Sequence, residues 1–240
     1  MDAATGTREV GEAVTSRVAD GVLTVTLDDG DKNVLTPERF EALVAALDEP
    51  AATAIVLTGR PGILTAGLDV KWMAANGREG VHRLLVRFGE CLMGWWTDPR
   101  PTVCAAPGHA IAAGSMLAMA CDHAVAAPEG YWGLTETRID FEIPEFGLAL
   151  ARANLRRDRL EDLLLPGERV EAATAVDCGF ADVLVPADEV LGAATTRARE
   201  LAELPARAYA GTKQRLRGRD ARAVLDGLHD DVAALTAHLP

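Results

Sequence analysis

Thr65-Ala66-Gly67-Leu68-Asp69 and, further on, Gly108-His109-Ala110-Ile111-Ala112-Ala113-Gly114 are the stretches whose reading decides the fold. Both are turns of small residues. Gly and Ala leave room for one backbone to approach another closely, and Gly reaches conformations closed to other residues. The second turn runs straight into the apolar Ser115-Met116-Leu117-Ala118, which reads as a helix. The first N–H groups of a helix have no partner inside it, and its dipole favours negative charge there. Two such turns brought together would offer backbone donors to an oxygen anion.

Working outward, Val22 to Leu27 alternates apolar and polar residues and ends at Asp28-Asp29-Gly30, a half-buried strand and its turn. Thr36 is placed to cap a helix with Pro37 at its first position and Phe40, Leu43, Val44 and Leu47 on one face. Ala54 to Leu57 and Thr102 to Ala106 read as buried strands, and His123 to Ala127 as another, ended by Pro128-Glu129-Gly130. Strand, helix, strand in this order implies right-handed crossovers and an α/β fold. A helix is predicted over Val81 to Trp95, weakened by Gly80, Gly89 and Gly94. Trp95-Trp96 suits core or interface packing better than base stacking. The chain turns helical from Ala149, with a break at Pro166-Gly167, and Glu189 to Leu239 is helical with a break near Pro205. No long repeat or low-complexity linker is visible, so one domain is expected.

The 240 residues carry 24 Lys plus Arg against 36 Asp plus Glu, a formal charge of −12, with 49% hydrophobic residues. That content fills a substantial core, while the charge repels phosphodiester backbones and anionic lipid, so neither nucleic acid nor membrane is an expected partner. Cys91, Cys104, Cys121 and Cys178 lack CxxC spacing and the histidines do not cluster with them, which predicts reduced thiols and no metal. Met1 to Ala13 lacks the pattern of a signal peptide, and no apolar segment is long enough to span a bilayer. A cytoplasmic protein is expected.

With Lys32-Asn33-Val34-Leu35-Thr36-Pro37, Ala54-Ile55-Val56-Leu57-Thr58-Gly59 and Cys121-Asp122-His123 in this order around the two turns, the chain resembles the crotonase, or enoyl-CoA hydratase/isomerase, superfamily from about Val14 onward. The resemblance implies a crotonase-like ββα spiral over about residues 14–185 and a helical region over about 186–240, together one domain across 1–240. The Ala175 to Val183 segment resembles the family's turn and strand before its last helices. The resemblance further implies an acyl-CoA substrate, no cofactor other than that coenzyme A, and assembly as a trimer or a dimer of trimers.

Carried onto this chain, the family's oxyanion hole falls on the backbone N–H groups of Leu68 and Ala113. Ala66, Gly67, Asp69, Gly114 and Met116 would line the substrate pocket, with Asp69 bracing its turn. Hydratases of the family place a glutamate where this chain has Met116, whose thioether cannot hold a proton near neutral pH. The family's second glutamate matches Glu136, the candidate base, whose pKa an apolar pocket would raise. Asp140 to Gly147 holds one residue more between Glu136 and Pro144 than common hydratases do. Anchored on Pro144, Glu145 falls where dienoyl-CoA isomerases carry a second acid, so it is either a partner of Glu136 in proton transfer or a helix-terminal carboxylate. The favoured reaction is double-bond isomerisation of an enoyl-CoA. Hydration and non-catalytic acyl-CoA binding are the alternatives. Lys71 and Lys213 are candidates for the CoA phosphates or simply solvated. Gly114-Ser115-Met116 lacks the second glycine of a nucleophile elbow, no GxGxxG fingerprint supports a nicotinamide cofactor, and His109 reads as a turn residue.

Overall fold

The computed structural model describes residues 6–239. Of the Met1 to Ala13 stretch, residues 1–5 therefore lie outside the described residues, and β1 (Arg8–Gly11) begins ahead of the expected Val14 start. It pairs antiparallel with β2 (Val14–Ala19), and β2 with β3 (Val22–Leu27). Thr36 caps α1 (Pro37–Ala46) by accepting from Arg39 N–H at 3.4 Å. Phe40 and Leu43 are buried as their spacing predicts, whereas Val44 is 43% exposed, so the buried stripe is narrower than the sequence reading.

The chain then winds as a spiral in which each turn gives a strand to each of two sheets before a helix. The first turn is β4 (Ala54–Thr58), β5 (Gly62–Thr65) and α2 (Val70–Thr97), and the second is β6 (Thr102–Ala106), β7 (Gly108–Ile111) and α3 (Ala113–Ala120). The third is β8 (His123–Ala126), β9 (Tyr131–Gly133), a 3-10 turn at Glu136–Ile139 and α4 (Glu145–Asn154). This three-fold ββα pattern leaves no sequence repeat because the units share direction rather than length: α2 has 28 residues and α3 has 8. α5 (Leu160–Leu164), β10 (Val170–Glu171), α6 (Ala172–Cys178) and β11 (Val183–Leu184) follow, then α7 (Val190–Ala202) and α8 (Ala206–Leu235) on either side of the predicted break at Pro205.

The larger sheet has the order β1-β2-β3-β4-β6-β8-β11, parallel from β3 onward. Its central strands are apolar throughout because both faces are covered. Val56, Val103, Ala105 and Val125 face one core with Val190, Ala194 and Ala198 of α7. Their neighbours Ile55, Leu57, Cys104 and Ala124 face the other core, which includes residues of α1, α2 and α3. The smaller sheet, β10-β9-β7-β5, sets the ends of β5, β7 and β9 side by side through parallel pairing.

α8 is fastened to this frame by a buried charge cluster. Lys213 donates to Asp122 Oδ2 at 2.8 Å and to the Arg100 carbonyl at 2.9 Å, Tyr209 O–H donates to Asp122 at 2.7 Å, and Arg217 bonds the other Asp122 oxygen at 2.5 Å. Lys213 is only 5% exposed, so this cluster, rather than a phosphate, takes its charge. Trp95 and Trp96 are core residues, and all four cysteines are free and buried. No helix among the described residues is long and apolar enough to cross a membrane. Replacing Lys213 with Met is expected to lower unfolding free energy by about 2 kcal/mol, since it removes one of the two cations that pair with the buried Asp122 carboxylate. Urea denaturation of Lys213→Met, Asp122→Asn and the double variant checks this, with the double variant expected to lose less than the sum of the singles.

Candidate active site

The first small-residue turn is pinned from below by Asn33. This residue is 1% exposed and sits at φ 52°, a left-handed conformation that Asn tolerates better than most side chains. Its amide donates to the carbonyls of Leu27 at 2.8 Å and Leu64 at 3.0 Å and accepts from Asp29 N–H at 2.9 Å. Thr65 Oγ1 donates to the Asn33 carbonyl at 2.5 Å and accepts from Gly67 N–H at 3.0 Å. Ala66 N–H reaches the Lys32 carbonyl, Leu35 N–H reaches the Gly67 carbonyl, and Asp69 N–H reaches the Leu35 carbonyl. The amides of residues 66, 67 and 69 are thus engaged. Among the described residues, Leu68 N–H finds no acceptor.

The second turn repeats this arrangement. Ala112 N–H donates to the Gly133 carbonyl at 2.8 Å, and Met116 N–H returns to the Ala112 carbonyl, leaving Ala113 N–H at the start of α3 without an acceptor among the described residues. Ala112 itself is held at φ 50°, ψ −111°, a strained setting for alanine that costs on the order of 1–3 kcal/mol. The two turns touch. A Cβ on Gly67 would lie 3.4 Å from the Ile111 carbonyl oxygen and 3.8 Å from the Ala113 nitrogen, and one on Gly114 would lie 3.0 Å from the Thr65 carbonyl oxygen. The two open donors predicted at Leu68 and Ala113 therefore stand on segments in van der Waals contact.

Glu136 opens the 3-10 turn that follows β9. β9 is tied to the second donor's helix through Ser115, whose hydroxyl donates to the Ala110 carbonyl at 2.6 Å and accepts from Gly133 N–H at 3.0 Å. The turn is held on its other side by Thr137, which donates to the Leu164 carbonyl, and by Arg138, which donates to the Gly167 carbonyl. Glu136 is 9% exposed and its Oε2 lacks a hydrogen-bond partner among the described residues. Burial pushes its pKa up to about 7, against a small opposing effect of its own backbone N–H.

Several sequence expectations change here. Glu145 is the first residue of α4, 47% exposed at its side chain and paired with Arg152 at 2.6 Å, while its N–H donates to Asp231. The helix start turns it toward solvent and an arginine instead of toward Glu136, so the structure does not bring the two acids together as a proton-transfer pair. Met116, expected at the pocket wall, is 1% exposed and packs against Ile143 and the bare backbone of Gly147. Asp69 caps α2, accepting from Lys71 N–H at 3.0 Å and Trp72 N–H at 2.9 Å, and so braces its turn. His109, expected in a turn, is instead an exposed residue of β7 whose Nδ1 accepts from Tyr131 N–H. Asn33, Thr65 and Ser115 are positioning residues that sequence reasoning passed over. The signal for Ser115 was available: a serine at the start of an apolar helix between small residues is a polar group that burial obliges to find partners.

Open backbone N–H groups on two touching turns, with a buried carboxyl after the strand that pairs with the second turn's strand, are the kinds of group that an oxyanion-hole enzyme uses. The family model for enoyl-CoA hydratase/isomerase matches residues 17–237, and the chain belongs to this family of acyl-CoA enzymes. A Thermus thermophilus protein named an enoyl-CoA hydratase is 35% identical over 76% of this chain and 75% of its own. Two solved structures of one Mycobacterium tuberculosis protein are each 30% identical, one named enoyl-CoA hydratase EchA3 (TM-score 0.86, 91% of this chain and 95% of that one) and the other an enoyl-CoA isomerase (TM-score 0.87, 93% and 98%). Human mitochondrial delta3-delta2-enoyl-CoA isomerase shares the fold, with TM-score 0.88 at 24% identity over 94% of this chain and 91% of its own.

The raised pKa of Glu136 is also a stability statement. Its folded value lies above the ordinary 4.5, so the neutral form favours the fold, and that contribution is complete below about pH 4.5 and lost as pH rises through about 7. Relative to Glu136→Gln, which does not titrate, the wild-type protein is expected to lose roughly 3 kcal/mol between pH 4.5 and pH 8. Urea unfolding of both proteins across this range checks the sign and size.

Proposed function

We propose that this protein is an enoyl-CoA isomerase that moves a double bond between the 3 and 2 positions with Glu136 as the only acid–base residue. The observation that carries this reading is a single buried carboxyl with a pKa near neutrality where Met116 replaces the acid that would complete a pair. Near pH 7 that carboxyl is populated in both protonation states, as a group that takes and returns one proton requires. The Glu136 carboxylate removes a proton from C2 of a 3-enoyl thioester. The C2–H electron pair becomes the C1–C2 double bond of a dienolate, and the thioester oxygen takes the negative charge between Leu68 N–H and Ala113 N–H. Glu136 then returns its proton to C4, the dienolate collapses, and the double bond stands between C2 and C3. No water enters the product.

Water addition needs a second group to hold and activate the water, which Met116 does not supply. The hydratase names of several relatives make hydration the competing outcome. Incubation with 3-enoyl-CoA in heavy water, followed by mass spectrometry, is expected to give 2-enoyl-CoA and no hydroxyacyl product, with deuterium at C4, and by reversal at C2, in the fraction of turnovers in which the Glu136 carboxyl exchanges its proton with solvent before returning it. Turnover is expected to rise with pH through about 7 and to fall by at least 10³-fold in Glu136→Gln. A hydroxyacyl product would replace this reading with hydration, and retained CoA binding without turnover would replace it with a binding function. Glu145→Gln is expected to turn over normally with only stability altered, as its pairing with Arg152 implies.

A further inference from the structure

A cavity of about 370 Å³ lies between the first turns of α2 and the segment that follows Glu136. Val70, two residues past the Leu68 donor, opens one wall, with Met73 and Val81 further along, and Ile139 and Phe141 form the opposite wall. The cavity thus starts two residues past Leu68 on one wall and three residues past Glu136 on the other, which gives the acyl tail of a thioester held at those residues a path between these walls. Val70 and Ile139 are 62% and 64% exposed, an unusual state for large apolar side chains flanking one cavity, and a tail laid between them would bury both. α2 is broken at this level: Gly77 has φ 56° and ψ −166° and itself lines the cavity.

A second cavity, of about 460 Å³, lies against Thr137 and Glu142. Asp140, Phe141 and His238 line both, so these side chains form the partition between the two spaces. The Phe141 and His238 rings stand 6.4 Å apart at 57°. From this arrangement we infer that the Phe141–His238 pair is the determinant of acyl-chain length, bounding the first cavity on the side of the second so that it takes an apolar tail of medium length. At about 30 Å³ per water-sized unit, the first cavity holds on the order of a dozen such units, the scale of an acyl chain of roughly eight to twelve carbons. Longer tails require the partition to open into the second cavity.

This inference rests on the acyl-CoA reading above but not on the direction of the chemistry, so its test uses saturated, unreactive ligands. Calorimetric titration of butanoyl-, octanoyl-, dodecanoyl- and hexadecanoyl-CoA into the full chain is expected to show affinity rising to the octanoyl–dodecanoyl range and falling at least tenfold at hexadecanoyl. Phe141→Ala and His238→Ala should each raise the hexadecanoyl-to-octanoyl affinity ratio at least tenfold. His238 is exposed, so its variant keeps the test open if Phe141→Ala unfolds, with thermal melting as the check. Binding that does not vary with length, or an unchanged ratio in a folded His238→Ala protein, overturns the inference while leaving the isomerase reading intact. The predicted length dependence without turnover of 3-enoyl-CoA overturns only the isomerase reading, and failure to bind any acyl-CoA overturns both.

Discussion

The near contact of two backbone turns is the constraint from which the rest of the structure follows. Donors on different segments can serve one oxygen only if those segments almost touch, and here a Cβ at Gly114 would be crowded by Thr65 at 3.0 Å, while Gly67 holds a φ of +100° that side chains rarely adopt. Parallel pairing of β5 with β7 supplies the coarse alignment. The fine alignment comes from polar groups that occupy neighbouring amides: Thr65 takes Gly67 N–H, the Lys32 carbonyl takes Ala66 N–H, and the Gly133 carbonyl takes Ala112 N–H. In the first turn this leaves Leu68 N–H open, and in the second the N–H groups that begin α3, Ala113 first among them. The strained Ala112 backbone persists because its N–H and C=O are both bonded, which over-determines its conformation.

The same sheet carries the acid. Gly133 accepts from Ala112 and donates to Ser115, so the strand leading to Glu136 and the helix bearing the second donor move as one unit. This matters for charge. The proposed reaction places one negative charge either on the carboxylate or on the substrate oxygen, never on both. Burial disfavours the carboxylate, whereas the open N–H groups favour the oxyanion, so the two environments together narrow the free-energy gap between the reactant and the enolate.

Legibility in the sequence followed pattern strength. β4, β6 and β8 were readable as apolar runs, and α1 as a capped periodic helix. β5, β7 and β9, of four, four and three residues, were not, because such short strands lack room for alternation to develop and β7 lies within a stretch that reads as a turn. The close approach of the two turns was legible all the same, since small residues before an apolar helix report it, whereas the choice of Leu68 and Ala113 as donors came from the family resemblance. Burial of charge was not: Lys213 and Glu145 are equally polar in sequence, yet one is drawn into the frame by Asp122 and the other is left at a helix start beside Arg152. Sequence spacing ranks neither, because the deciding partners are far along the chain.

Met116 joins the packing argument to the chemical one. Its methyl group and sulfur fill the space over Gly147, where any Cβ would meet them at about the distance of a clash, so the thioether and the missing side chain are one fitted unit. Because no second carboxyl stands there, desolvation is what raises the pKa of Glu136, opposed only by its own backbone N–H; two adjacent carboxyls would instead titrate as a coupled pair, one raised and one lowered. A lone carboxyl near neutrality gives up and regains a single proton with little bias. It leaves a water molecule without its second holder, and so suits transfer within one substrate better than addition of another.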